Sequence, residues 1–485
     1  MKTVRVIKLL VAVGVLALGV AAWPELALPD QIETGKSGNG KGAHVGGTPR
    51  QLAEREKVEQ QQAPVLVLTV GQCVARALAQ NPRVLVAAEE VAGKRAVIGQ
   101  ARAQKRPQVS GQLAFTRRDV PGDGSAAGAL FTPGILSGIY GDEDTRTGNV
   151  AISQLLYAGG EVHAAVRAST YLAESEEWRG EATRHAVAFE AKTAYYDVLL
   201  AQALRRVAEE SVATFQRHLG DAQERFNAGV TSQFEVLRAK TELGARQADV
   251  VSARNLERLA LANLRRILVL PQDTPLRFAQ KLDWRPLEEP PAAFVATALT
   301  QRPECRALDT AIRAAEKNVQ RIKGRYLPRL AATADWRETD GAGKAAPDGW
   351  TFALGAEWEF YAGGRRKHEA AEATAQVRAL KYQLADIEAL VELEVCQAVI
   401  QVEDAIAKIE SEKGTVALAR EGLRLAELRF QEGVGIQSET LDAELALTSA
   451  ESALARATRD YAVASAALEK AMGTNPEPQA VPEPD

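Results

Sequence analysis

Cysteine is nearly absent from this 485-residue sequence, which holds only Cys73, Cys305 and Cys396. Three is an odd number and too few for a disulfide framework, even in an oxidising compartment. All three lie in helix-like stretches, where they are expected to pack as small apolar side chains. Histidine is scarce as well: His44, His163, His185, His218 and His368 show no paired spacing with cysteine or carboxylate, which argues against a zinc centre. There is no serine nucleophile elbow and no zinc-protease helix, so the chain reads as neither an enzyme nor a cofactor binder. The one look-alike of a phosphate loop, "GKSGNGKG" at 35–42, has Gly42 where Ser or Thr must hold magnesium, and no apolar strand precedes it. Excess charge of one sign is missing too. Lys and Arg number 59 against 63 Asp and Glu, mixed along the chain, so no basic face for nucleic acid is present.

Long hydrophobic runs are confined to the N-terminus. Three basic residues in the first eight precede the uncharged "LLVAVGVLALGVAA" at 9–22, closed by small residues before Trp23. This is the pattern of a cleaved secretory signal peptide, assigned to 1–22. A membrane anchor is the competing reading, but the run is shorter than the ~20 residues that span a bilayer. The polar stretch that follows, "DQIETGKSGNGKGAHVGGTPRQ" at 30–51, places a flexible periplasmic arm at 23–63. Aromatics make up only 5% of the chain, while alanine, with Leu, Glu, Arg and Gln at helical spacing, fits long, closely packed helices.

The body is duplicated. "RFNAGVTSQFEVL" at 225 returns as "RFQEGVGIQSETL" at 429, and "YAGG" at 157 returns at 361, each 204 positions on. "NPRV" at 81 and Pro107 answer "RPEC" at 302 and Pro328 at a spacing of 221, so the first half carries a longer insertion, read as a loop over 121–147. Val212, Phe215, Leu219, Ala222 and Phe226 are spaced three and four apart, as are Val416, Ala419, Leu423, Ala426 and Phe430. After the turn come Leu237, Thr241, Gly244, Ala248 and Val251, answered by Leu441, Leu445, Thr448, Ser452 and Ala455. Both sets predict coiled-coil seams around a helix–turn–helix tip, with Gly229 and Gly433 left-handed where the incoming helix ends. About 65 residues from joint to tip give rods of about 100 Å. Such rods suit a spacer across a compartment.

Between each proline and each YAGG the period changes to two. "TFALGAEWEF" at 351–360 sets Phe352, Leu354, Ala356, Trp358 and Phe360 opposite Thr351, Ala353, Gly355, Glu357 and Glu359; "RLAATADWR" at 329–337 alternates likewise. "QVSGQLAFT" at 108–116 alternates clearly and "NVAISQLLY" at 149–157 more weakly. These are expected strands at 108–118, 148–157, 329–338 and 350–361. A soluble two-sided sheet has the same period; export and attachment to very long helices favour a membrane β-barrel wall, apolar outside and polar inside. Four strands cannot close a barrel around a pore, and open edges are not tolerated in lipid, so several chains must contribute.

Two halves that each run helix–Pro–strand–loop–strand–GG–long helix–"RFxxG"–long helix resemble the TolC family of outer-membrane efflux channels, over about 68–473. The resemblance implies a mainly α fold with a membrane β-barrel, four strands per chain in a homotrimeric twelve-stranded barrel, above a periplasmic tunnel of coiled coils. It implies a passive duct in the outer membrane that meets a periplasmic adaptor and an inner-membrane pump of RND or ABC type, in tripartite efflux or type I secretion. The organisation read on this basis is a first repeat at 64–270 with its tip near 229, an equatorial connector at 271–293, a second repeat at 294–473 with its tip near 433, and a tail at 474–485. The joints are Gly159, Gly160, Gly363 and Gly364, with Pro107 and Pro328 at the opposite ends of the sheet segments. The family commonly has Phe-Asp-Gly-Gly where this chain twice has Tyr-Ala-Gly-Gly.

Glu439 and Asp442, three apart on one helix face, match the family's acidic rings at the periplasmic aperture, and predict a cation-preferring constriction. The equivalent positions of the first half hold Glu235 and Arg238. Adaptor docking is expected at Arg225, Gly229, Val230, Thr231 and Ser232 and at Arg429, Gly433, Val434 and Gly435, while Phe226 and Phe430 are expected to close the seam. The rival from another class is a soluble periplasmic coiled-coil scaffold or adaptor, which would normally show one hairpin and a lipoyl-like β region.

Overall fold

The structure is a computed structural model that describes residues 66–117, 144–279, 291–340 and 348–474. The signal segment, the N-terminal arm, most of the loop insertion and nearly all of the tail lie outside the described residues. The first half comprises β1 (Leu66–Leu68), α1 (Val70–Gln80), α2 (Pro82–Ala103), β2 (Gln108–Arg117), β3 (Asp144–Ala158), α3 (Glu161–Asn227) and α4 (Gln233–Ile267). The second repeats it with β4 (Leu276–Phe278), α5 (Pro291–Gln301), α6 (Pro303–Gly324), β5 (Arg329–Asp340), β6 (Gly349–Glu357), α7 (Arg365–Gln431) and α8 (Gln437–Met472). Both incoming rods are 67 residues long, about 100 Å of helix.

β2, β3, β5 and β6 form one antiparallel sheet in that order. Two of its strands differ from the alternation in the sequence. β3 begins at Asp144, inside the segment read as loop, because it is an inner strand with partners on both sides: Thr147 pairs with Ala114 and with Thr339. β6 ends at Glu357, four residues before the expected Tyr361, although the alternation runs on to Phe360. Its ladder partner starts only at Arg329, after Pro328, which has no N–H to give. Trp358 leaves the sheet and donates its indole Nε1–H to the Tyr326 carbonyl at 3.0 Å.

Below the sheet, α2, α3, α6 and α7 pack side by side. Further down, α4 packs on α3, α3 on α8 and α8 on α7. The first half's core gathers Cys73, Val74, Ala77, Val187, Ala191, Tyr195, Val198, Leu264 and Ile267, and the parallel β1–β4 pair lies against it. α1 starts on a capping box in which Thr69 and Gln72 satisfy each other's backbone N–H. The second half's core centres on Phe294, Val391, Val395, Val399, Val402 and Leu468. The cysteines are free; Cys73 and Cys305 are buried, and burial pushes the Cys73 thiol up to about 12, which leaves it inert at neutral pH.

One expected seam is corrected. α4 buries Ala239, Leu243 and Val250 against α3, whereas Leu237, Thr241, Gly244, Ala248 and Val251 are all exposed. Both stripes have three–four spacing and lie on opposite sides of the helix, so spacing alone does not say which one meets the rod within the chain.

The strand-to-helix joints require glycine for two reasons. Gly159 and Gly363 both take φ +59, the left-handed region, but a Cβ on Gly159 would also stand 2.1 Å from the Gly324 carbonyl oxygen, while one on Gly363 would meet nothing within 4 Å. Gly363→Ala is therefore expected to cost about 1–2 kcal/mol from backbone conformation alone. Gly159→Ala should cost clearly more, because a backbone carbonyl must move. Denaturant unfolding of the two variants side by side measures the difference; equal losses would contradict the close approach of Gly159 to α6.

Candidate functional site

The cross-strand register sorts the sheet into two faces, since directly opposed residues project the same way. Val109 opposes Ile152, which opposes Ala334, which opposes Phe352; Gly111, Val150, Trp336 and Trp350 form the next row. On the other face, Ser110, Ala151, Asp335 and Thr351 form one row, and Gln112, Asn149 and Arg337 another. The apolar face is uncovered: Leu113 is 76% exposed, Phe352 77% and Leu354 74%. At one end it meets charge, where Arg146 lies 5.9 Å from the Phe115 ring centroid and opposes Asp340. At the other end stand exposed Tyr157, Tyr326, Trp358, Phe360 and Tyr361. An apolar band with aromatic residues along its borders is the chemistry of a wall facing lipid.

At the far end of the rods, both tips close alike. Gly229 takes φ +75 and donates to the Phe226 carbonyl at 2.9 Å, and Val230 N–H reaches the Arg225 carbonyl at 2.9 Å. Gly433, also at φ +75, donates to Phe430 at 3.2 Å and Val434 to Arg429 at 2.9 Å. These are the paired bonds that close a helix on a left-handed glycine. Val230 and Val434 stand 74% and 75% exposed, with Phe234 and Ile436 also uncovered beside them. The tips touch each other: the Arg225 guanidinium lies 3.9 Å from the Phe430 ring centroid and donates from Nη2 to the Phe430 carbonyl at 3.3 Å. Phe430 thus sits under an arginine of the other hairpin. Phe226 does not close the seam; it is exposed, and the buried contact near the tip is Phe215 with Leu243 and Leu441.

Glu439 lies in the first turn of α8 with Arg429 Nη2 3.6 Å from its Oε2, and Asp442, one turn on, is exposed. A residue expected for docking and a residue expected for the aperture are therefore neighbours, and the pair softens the negative charge at the tip. Pro107 and Pro328 each stand directly before a strand of the sheet, at the opposite end of the fold from these residues.

Sequence patterns did not reveal a buried polar group between α3 and α8. Thr214, His218, Gln437 and Glu444 are all buried there, and Gln437 Nε2 donates to the His218 carbonyl at 3.4 Å. Burial, then Glu427, raises the Glu444 pKa above its ordinary range; Arg217 and the bond to Thr214 pull the other way. Burial lowers the His218 pKa, opposed by Asp221 and Glu427 and aided by Arg217. Polar residues inside an otherwise apolar three–four stripe, Thr214 beside Phe215 and His218 beside Leu219, were the available signal.

An exposed apolar sheet face carried on paired rods of about 100 Å fits a protein seated in a membrane. The family described as "Outer membrane efflux protein" matches residues 73–268 and 295–474, and the chain belongs to that family. It is thus an outer-membrane efflux channel protein, of a family of transport conduits rather than enzymes. Outer membrane efflux protein BepC of Brucella suis is 26% identical over 389 residues, 77% of this chain and 78% of BepC. Alkaline protease secretion protein AprF of Pseudomonas aeruginosa is 27% identical over 290 residues, 57% of this chain and 59% of AprF. The outer-membrane channel OprN has the same fold, with a TM-score of 0.70 at 20% identity over 84% of this chain and 91% of OprN.

The raised pKa of Glu444 carries a sign. The folded tip holds that proton more tightly than an opened one, so its stability falls as pH rises from the ordinary glutamate value of 4.5, and the cost is complete above the raised folded value. Glu444→Gln should therefore strengthen amide-exchange protection along the tip of α8 at pH 8, with an advantage that fades as pH approaches 4.5. Weaker protection in the variant at pH 8 would contradict the assignment.

Proposed function

We propose that three copies of this chain close a twelve-stranded barrel and a helical tunnel beneath it, forming the exit duct of a tripartite efflux or type I secretion system. One observation supports this most directly: the chain is unfinished at the same two edges in both layers. Among the described residues, β2 and β6 each have one unpaired edge, which lipid does not tolerate. Below them, α4 leaves Leu237, Val251, Leu256 and Leu259 uncovered on one edge, and α7 leaves Leu393, Ile400, Leu418 and Leu425 uncovered on the other. A neighbour on each side satisfies both layers at once. A soluble scaffold, the rival reading, would leave the apolar sheet face in water. Closure by three chains, rather than another number, follows the family resemblance.

In this assembly the tips form the periplasmic end. Exposed Val230, Phe234, Val434 and Ile436 offer apolar contacts to the helical hairpin of an adaptor, and a pump of RND or ABC type behind it supplies the energy. BepC is named for efflux and AprF for protease secretion, and the same conduit serves either kind of cargo. Three copies of Glu439 and Asp442 would set a negatively charged constriction.

Single-channel recording in planar bilayers tests the aperture. Glu439→Gln with Asp442→Asn should lower cation preference and change conductance, while unchanged values would remove both residues from the pore. Docking is tested by a cysteine at Thr231, which should cross-link to the cognate adaptor in intact cells; absence of the cross-link with that partner present would contradict docking at the tip. The assembly itself should run as a heat-modifiable trimer from the outer-membrane fraction.

A further inference from the structure

Where the sheet meets the rods, beside the first joint, lies an open cavity of about 870 Å³, lined by first-half residues and Gln320, with basic residues and no carboxylate on its walls. Lys105 follows α2, and His163 and Arg167 stand four apart on α3, so they share a helix face. Lys105 Nζ lies 3.1 Å from His163 Nδ1. An ammonium can only donate, so Nδ1 accepts and the imidazole proton sits on Nε2, available to another acceptor. Arg167 makes no ion pair among the described residues. Gln320 adds a neutral donor to the wall, while Gln154 gives its amide N–H groups to the Lys105 and Leu155 carbonyls.

The duplicated joint is different. Leu155 and Ala165 of the first half correspond to Glu359 and Glu369 of the second, 204 positions on. There Arg365 pairs with Glu359 at 3.1 Å and Glu369 at 2.9 Å, and Arg366 pairs with Glu359 at 3.0 Å. Arg365 and Arg366 are thus paired with carboxylates, as are Arg321 and Arg325 with Glu161 at the first joint, whereas the cavity beside Lys105, His163 and Arg167 has no carboxylate on its wall.

The cavity is tied to the apolar face of the sheet. Gln154 belongs to that face, in a row with Ala332 and Leu354, and its Nε2 donates to the Lys105 carbonyl at 2.8 Å. Tyr157, on the cavity wall, opposes Leu330 on the same face. Cations directly beneath a lipid-facing wall sit at headgroup depth.

We propose that Lys105, His163 and Arg167 bind the phosphate of an anionic phospholipid headgroup of the inner leaflet, one per subunit, with its acyl chains lying along the apolar sheet face. This assignment rests on the reading of that face as lipid-facing. The volume suits such a headgroup, falling within the 300–1,000 Å³ typical of ligand sites.

The test reconstitutes the full chain into vesicles of phosphatidylglycerol and phosphatidylcholine in equal amounts, confirms insertion by flotation, then counts retained lipids by native mass spectrometry. Wild type is expected to retain phosphatidylglycerol in preference to phosphatidylcholine. Lys105→Gln with Arg167→Gln should reduce that preference about tenfold, and Lys105→Arg with Arg167→Lys should keep it. Equal retention of the two lipids by wild type, or full preference in the Gln variant, would overturn the site. Release of the lipid by millimolar inorganic phosphate as readily as by excess phosphatidylglycerol would assign the cavity to a soluble anion and overturn the lipid. Failure of every variant to float with the vesicles would overturn the membrane reading beneath it, and is seen before any lipid is counted.

Discussion

Hydrocarbon offers no hydrogen bonds, so each backbone N–H and C=O within it needs a partner in the protein. That constraint organises the whole molecule. Two strands per repeat give four per chain, in the order β2-β3-β5-β6, and the outermost two are each satisfied on one side only. In the assembly we propose, other copies complete them. The helical layer is unfinished at the same flanks, because α7 continues the edge strand β6 through a glycine joint and α4 returns from the tip beside α3. Uncovered apolar stripes on α4 and α7 therefore lie at the two flanks of the chain. In that proposed assembly one neighbour satisfies both the backbone chemistry of the sheet and the side-chain chemistry of the rods.

Duplication sets the geometry and divergence sets the chemistry. The two halves agree in rod length, in the glycine at each joint and in the glycine at each tip. They disagree where charge matters. Glu439 and Asp442 correspond to Glu235 and Arg238 at the 204-residue offset, and the basic cavity at the first joint corresponds to paired arginines and glutamates at the second. A ring built from such chains alternates two kinds of hairpin around one axis.

Much of this was legible in the sequence because it repeats or has a strict period. The 204-residue offset, the two-residue alternation and the left-handed glycines each leave a pattern that needs no knowledge of tertiary contacts. What escaped depends on which of several possible neighbours a residue meets. α4 carries two stripes of equal spacing, and only packing shows that Leu243, not Leu237, faces α3. Alternation ran past Glu357, but a strand ends where its partner's ladder ends, and Pro328 lies far away in sequence. The contact of Arg225 with Phe430 joins residues 205 apart, and no local rule predicts it. The polar group around Glu444 was hidden for the same reason: its members come from two helices of different repeats.

The central claim is that one face of the sheet meets lipid and the other meets water. Nitroxide labels placed singly at Leu113, Phe352 and Leu354, and at Gln112, Asp335 and Thr351, test it in reconstituted vesicles. The account predicts that the first three positions relax with oxygen dissolved in the bilayer and the second three with a water-soluble nickel chelate. Equal access of the chelate to both sets would contradict it, because a sheet wetted on both faces cannot be a membrane wall.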